Sequence, residues 1–470
     1  MTRKIFLALL MSYFTLSASA SNYLTFTAEE DSSSFCIKKR EIYPNVEYSL
    51  DDGKTWNVLK NNLVVSFWKK GDKALLRGYN PDGFCVFEGE PSYTAFHMQG
   101  KIAASGSVMS LIDSIGESKT IPSKYCFYAL FNNCTSLTQA PELPATTLTE
   151  NCYFGMFEDC TSLTQAHELP ATTLANSCYA YMFSGCTSLT QAPELPATTL
   201  ANGCYAFMFE DCTSLTQAPE LPATTLANGC YGEMFHSCTS LTQAPELPAT
   251  TLADGCYSGM FAFCTSLTQA PKLPATTLTD DCYNGMFTYC TSLTQAPELP
   301  AMDLANFCYK NMFSICTSLT QAPELPAKTL AILCYEGMFS NCKNLQKIKV
   351  GFDIWLDGTF AWLDCVAPTG TFYCPKGLPL EYGEDRIPEG WNVKYIDDGA
   401  DVAEHVSDAS FKAWGADGKI TYIGATVPVE IYGLNGRLVK KMNEKSQSVD
   451  VPQHGIYVVK SGNVSLKVEL

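Results

Sequence analysis

The central stretch of this 470-residue chain almost lacks basic residues. Residues 135–341 contain no arginine and only three lysines, against 18 aspartates and glutamates, and so carry most of the net charge of −17. A surface of this sign repels phosphate backbones and anionic lipid headgroups. We therefore expect no nucleic-acid partner and no simple attachment to a membrane surface.

Long apolar runs are also scarce. The run at residues 5–16 follows two basic residues and precedes the small-residue pattern Ala-Ser-Ala at 18–20, which is typical of a secretory signal peptide. No later run is long enough to span a bilayer. We predict cleavage between Ala20 and Ser21, giving a secreted or outer-surface protein with no transmembrane segment in its mature chain.

The motifs of catalysis and metal binding are missing as well. The sequence contains no Cys-x-x-Cys pair, and none of its five histidines stands in a recognisable motif with a nucleophile or a metal partner. A ladder of glutamates, one in most units and replaced once by Lys272, offers too few oxygens per unit for calcium, so solvated side chains are favoured. We expect a protein that is not an enzyme, with no catalytic residue, metal or cofactor.

A repeat of 26 residues dominates what is present. Eight near-identical units lie between Cys134 and Asn341, and two cysteine series with this period hold 18 of the 22 cysteines. One series runs from Cys134 to Cys342 and the other from Cys126 to Cys334. Because a single unit cannot bury its own apolar residues, stacked units must close one continuous core, which predicts a solenoid.

Each unit divides into two halves. Leu189, Ala192 and Leu195 recur at three-residue spacing, and nearby prolines limit any paired strand to a short one followed by extended chain. In the second half, residues 204, 205, 208 and 209 are apolar, the spacing of one face of a short helix. The expected class is therefore α+β, with short parallel strands and short helices in the solenoid.

The segment Met208-Phe209-Glu210-Asp211-Cys212, followed by Thr213-Ser214-Leu215, resembles the BspA-like (Treponema-type) leucine-rich repeat, although these units are longer than is usual there. The resemblance covers about residues 120–350 and implies a leucine-rich-repeat fold for the solenoid, which we predict over residues 106–350. It also implies a surface protein of a host-associated bacterium, since several members are regarded as adhesins.

The flanking segments have strand patterns. Residues 21–105 alternate apolar and polar side chains and predict an N-terminal β-sandwich, in which Cys36 and Cys85 could form a disulfide. Residues 351–398 are expected to cap the solenoid. Residues 405–470 predict a C-terminal β domain that resembles the sorting domain of type IX secretion in Bacteroidetes, on the motifs at 432–437, 455–459 and 467–470.

The units differ from one another mainly in two dipeptides that flank Met-Phe. These positions place four aromatic residues, Tyr181, Phe207, Phe263 and Tyr289, on the expected outer side of the helix, where they form the candidate contact surface. A tolerant solvent face is the favoured interpretation of these positions, and a contact surface is the alternative. For the cysteines, buried thiols are favoured over disulfides between units.

These observations favour a non-catalytic binding scaffold, adhesin-like, that contacts a protein or glycan on a host or neighbouring cell surface. The alternative is a carbohydrate-binding scaffold, or a stiff stalk that presents the terminal β domains.

Overall fold

The computed structural model describes residues 22–39, 44–85 and 93–396, together with shorter stretches between 412 and 469. The chain divides into two compact units, Met1–Tyr395 and Ile396–Leu470. The predicted signal peptide and its cleavage site at Ala20 and Ser21 lie outside the described residues.

Two sheets form the N-terminal part of the first unit. A six-stranded sheet has the order β4-β3-β6-β1-β8-β9, and a three-stranded sheet has the order β5-β2-β7. Alternate residues of β1 are buried, as a strand with one face on the core requires. The strands are β1 (Leu24–Ala28), β2 (Ser34–Lys38), β3 (Glu47–Ser49), β4 (Asn57–Val58), β5 (Val65–Ser66), β6 (Lys73–Arg77), β7 (Ala95–Gln99), β8 (Ile102–Ser105) and β9 (Leu137–Gln139).

The repeats form a solenoid whose first halves stack in parallel. Most units contribute only single parallel bridges, such as the one between Gln191 and Gln217. Pro193 and Pro196 lack the N–H donors that a longer ladder would need. Regular strands return where the repeat decays, in the sheet β10 (Gln321–Leu325), β11 (Lys347–Val350), β12 (Thr371–Pro375) and β13 (Asn392–Ile396).

The predicted α+β class is wrong, because the described chain is nearly all β. Its helical residues are a four-residue helix, α1 (Ser110–Asp113), and a three-residue 3₁₀ helix at Asp357–Thr359, both outside the eight units. The second half of each unit, which we predicted as a short helix, is a column of overlapping turns.

Positive φ angles explain why no helix forms there. In one unit Gly203, Phe207 and Asp211 have φ between 53° and 59°, and the same four-residue spacing recurs in the other units. A right-handed helix cannot contain such residues. The N–H groups of the turn column therefore alternate between a turn within the unit, as from Met208 to Tyr205 O at 3.2 Å, and the next unit, as from Phe209 to Met234 O at 2.9 Å.

The turn column points pairs of side chains into the core. The repeated Cys, Tyr, Met and Phe side chains are buried in every unit, as the sequence predicts, and one apolar cluster runs from Leu24 to Trp391. Phenylalanine rings stack on one another from unit to unit, with centroids 5.5–5.8 Å apart.

Both ends of these ladders are closed by residues from outside the repeats. At the first unit β8 pairs in parallel with β9, and Phe96 stacks on Phe131 at 5.4 Å. At the last unit Trp362 stacks on Tyr335 at 6.3 Å. Stacked units expose an apolar end unless atypical residues cover it, so these contacts cap the solenoid.

The second unit contains two antiparallel sheets, ordered β14-β15-β18 and β17-β16-β19-β20, that share an apolar cluster including Ile420, Ile431 and Val459. Its strands are β14 (Lys412–Ala416), β15 (Lys419–Ile423), β16 (Val429–Gly433), β17 (Leu438–Met442), β18 (Gln447–Asp450), β19 (Ile456–Ser461) and β20 (Val464–Glu469). In the part of the chain that the structure describes, no helix has the length and apolar character needed to cross a membrane.

Candidate functional site

The solenoid has two long surfaces of different character. We call the surface formed by residues 191–196 and their equivalents the strand face. We call the outer surface of the turn column, formed by residues 206, 207, 210, 211 and their equivalents, the turn face. The first is almost identical from unit to unit, whereas the second varies at all four of its positions.

The four aromatic residues of the candidate contact surface lie on the turn face in two stacked pairs. The rings of Tyr181 and Phe207 have centroids 4.5 Å apart and planes 7° apart, and those of Phe263 and Tyr289 are 4.5 Å and 12° apart. Phe263 and Tyr289 are 36% and 38% exposed, while the other two rings are half-buried. The structure thus brings these residues together two by two.

Two further aromatic residues extend the first pair. Phe154 lies 5.2 Å from Tyr181, and Tyr128 lies 5.0 Å from Phe154, so four rings run in a row along the turn face. We did not predict these two as site residues. They occupy the first position of the variable dipeptide rather than the second, and only the turn geometry shows that the two positions adjoin between units.

A charged cluster separates the two aromatic groups. His236 Nδ1 lies 3.9 Å from Glu210 Oε1, and Glu233 belongs to the same cluster. Partial burial raises the pKa of both glutamates, whereas the nearby charge of His236 lowers the pKa of each of them. His236 also contacts the Phe263 ring, at 5.1 Å between centroids. The turn face therefore changes from aromatic to ionisable and back to aromatic over a few units.

The strand face is monotonous and acidic. Gln191, Glu194 and Pro196 are exposed while Pro193 and Leu195 point inward, so this segment is extended, as its prolines predict. Two neighbouring hollows of about 720 and 560 Å³ lie between the prolines of successive units near the end of the solenoid, along residues 269–274, 294–300 and 320–326. An elongated ligand could follow them.

The cysteines are free thiols throughout. Cys36 and Cys85, which could have paired, form no disulfide in the structure, and both repeat series are buried. Each thiol of the series from Cys160 to Cys342 donates a hydrogen bond to the carbonyl of a phenylalanine in the preceding unit, as Cys212 Sγ does to Phe183 O at 3.1 Å. The favoured interpretation of buried thiols therefore agrees with the structure.

The oxidation state of the cysteines and their reactivity in the folded protein can be measured directly. Denatured protein without reductant is expected to titrate 22 thiols, whereas folded protein should show one fast-reacting thiol, Cys365, which alone is exposed. Burial raises the pKa of the repeat cysteines, to about 12 for Cys204, which suppresses the reactive thiolate. Kinetic titration with an aromatic disulfide reagent checks this, and a denatured count well below 22 would contradict it.

The fold defines the chain as a β-solenoid repeat protein. Compared with known proteins, it matches no family, no curated protein and no solved structure.

Proposed function

We propose that this protein is a non-catalytic, adhesin-like binding scaffold that recognises a partner protein through its turn face. The observation that carries the proposal is the row of partly exposed aromatic rings on a rigid, regularly spaced backbone, next to a cluster of acidic side chains. Aromatic residues are enriched at protein interfaces because they bury a large area at little entropic cost. The ladder of hydrogen bonds between units holds them in place before binding, which lowers that cost further.

The orientation of the rings favours a protein partner over a glycan. A sugar usually packs its apolar face on the open face of an aromatic ring. Here the stacked pairs cover one face of each ring, and Tyr181 and Phe263 meet Phe154 and His236 on the other. For Tyr181 and Phe263 mainly ring edges remain for a ligand, and edges suit contacts with carbonyls and other aromatic rings.

A second candidate function rests on the strand face. Two neighbouring hollows lie between the prolines of successive units, and a polymer with a matching repeat could lie along them as a carbohydrate or an extended peptide would. In that case the solenoid would bind through its uniform surface. If neither face binds, it would serve as a stiff stalk for the terminal β domains.

Export is part of the proposal. The signal-peptide pattern at residues 1–20 supports secretion or display on the outer surface, and the resemblances to BspA-like repeats and to a sorting domain support a bacterial surface protein. The partner would then be a host matrix protein or the surface of a neighbouring cell.

Replacing Tyr181 and Phe207 together by asparagine is expected to weaken binding to a matrix-protein panel by at least about tenfold, because the pair would be central to the interface. Asparagine tolerates a positive φ, and Asn311 already occupies the equivalent position of another unit at 52°. Folding stability should therefore be unchanged or slightly raised. Surface plasmon resonance with the mature full-length chain measures the affinity, and thermal unfolding measures the stability.

The matched control is Trp68→Ser, which removes an aromatic ring that is 80% exposed and lies outside the turn face. It should leave binding unchanged. Equal binding by the double asparagine variant and the unaltered protein would refute the role of the turn face. A glycan array run with the same samples shows whether the protein binds sugars instead, and sugar binding that the double asparagine variant retains does not depend on this aromatic pair.

A further inference from the structure

We propose that Glu210, Glu233 and His236 form a binding site for a divalent transition-metal ion, and that Zn²⁺ fits their chemistry best. Each side chain offers one ligand atom, and these atoms all lie within 4.8 Å of one another. Imidazole nitrogen and carboxylate oxygen are both ligands that Zn²⁺ takes in proteins, and catalytic zinc sites use three protein ligands. Calcium and magnesium favour oxygen ligands alone, so the imidazole selects against them.

The backbone fixes the three ligands on adjacent turns. His236 N donates to Glu233 O at 3.0 Å, which closes the turn that places these two side chains together. Asp211 N donates to His236 O at 2.9 Å, which holds the backbone beside Glu210 against the unit that contains His236. Zn–ligand bonds of about 2.0–2.2 Å with tetrahedral angles place ligand atoms about 3.3–3.6 Å apart. Small side-chain rotations would bring the present separations to that value.

The charge at the cluster favours a cation. The charged groups that act most strongly on Glu210 are His236, Asp211 and Glu233, two of which are acidic. Both glutamates are partly buried, and desolvation raises the pKa of each of them. A bound dication would offset the repulsion between the carboxylates and the cost of their burial.

The neighbouring unit leaves room for the site. A Cβ atom at Gly259 would lie 2.7 Å from Glu233 Cγ, so a glycine there allows the glutamate its observed position. Glu233 and His236 also line a cavity of about 410 Å³ that continues past Gly259. Three protein ligands leave a fourth coordination position on zinc, and this open side admits water or a donor group of a partner.

The cluster depends on deviations from the repeat. Neighbouring units lack three ligands at the equivalent positions, which hold Ser184, Phe207 and Glu210 on one side and His236, Gly259 and Ala262 on the other. One place on the turn face therefore has the full set, and the other units serve as built-in comparisons.

Isothermal titration of the full chain with Zn²⁺ tests the proposal, in a Cys365→Ser background that removes the exposed thiol. One saturable site per chain is expected, weakened at least about tenfold by His236→Ala and by Glu233→Gln, since each removes a ligand. Alanine already occupies the position equivalent to His236 at Ala262, so the first variant should fold, and thermal unfolding verifies this.

The matched control is His167→Ala, which removes a histidine from another unit and should leave zinc affinity unchanged. The proposal is overturned if the Cys365→Ser protein shows no saturable site. It is equally overturned if His236→Ala binds zinc as tightly as its parent, or if His167→Ala loses affinity to the same extent. None of these results depends on the identity of a partner, so the site and the proposed function fail separately.

Discussion

Phe235→Ala is expected to lower the free energy of unfolding by about 3–5 kcal/mol. The ring is fully buried and stacks between Phe209 and Phe261, with centroids 5.6 Å away on each side. Hydrogen bonds between units hold its neighbours at fixed spacing, as from Phe235 N to Met260 O at 2.9 Å. The column therefore cannot collapse into the space left by the ring, and the cost should lie near the upper end of that range. Urea denaturation measures it.

Phe263→Ala supplies the control, because it removes the same atoms one unit further on from a ring that is 36% exposed. The cost there should be clearly smaller, about 1–2 kcal/mol, because this ring is already partly exposed to water in the folded protein. If both variants lost the same stability, the stacked phenylalanines would not form the core. Hydrogen exchange around residue 235 would show whether the loss is confined to adjacent units, as expected when units contact only their neighbours.

The repeat period was sufficient to predict a solenoid and its core. A 26-residue period forces equivalent residues to stack, so the buried Cys, Tyr, Met and Phe positions follow from spacing alone. Ala192 shares the three-residue spacing of Leu189 and Leu195, yet it is only half-buried because the chain around it is extended and Pro193 turns inward instead.

The helix could not be distinguished from the turn column by spacing. Residues 204, 205, 208 and 209 share one face both in a helix of 3.6 residues per turn and in a column of turns with a period of four. The distinguishing property is a positive φ at every fourth residue. Some of these positions hold residues that favour a positive φ, such as Gly203, Asp211 and Gly229. Others hold Phe207 and Tyr181, residues that rarely adopt a positive φ, so the pattern cannot be recognised from the sequence.

The sequence was sufficient to predict the contacts within the aromatic pairs, but it was not sufficient to predict the proposed zinc site. Tyr181 and Phe207 are one repeat apart, so stacking of the units predicts that they adjoin. Glu210 and Glu233 are 23 residues apart and occupy different positions of the unit. Their proximity depends on the turn register between units, which no spacing motif encodes.

Deletion of residues 183–208, one complete period, is expected to leave a folded solenoid that is shorter by one unit. The deletion joins Met182 to Phe209, which restores the Met-Phe pair of the repeat within the new sequence Tyr-Met-Phe-Glu. The backbone hydrogen bonds of the turn column recur one period later, as from Phe183 N to Met208 O and from Phe209 N to Met234 O, so the new neighbours meet through an interface that already exists. Circular dichroism and thermal unfolding should show an unchanged spectrum per residue and a small shift of the midpoint.

Deletion of residues 183–207 removes one residue fewer and should be far more damaging. It leaves an extra methionine in the turn column, which moves the positive-φ position off Asp211 and turns Phe209 and Cys212 away from the core. Misplacing these two buried side chains costs on the order of 5 kcal/mol or more. The deletion of 26 residues should therefore lower the stability less than the deletion of 25 residues. This order is expected only if the four-residue spacing of the turns determines the fold. Equal damage from both deletions would mean that the units are not interchangeable.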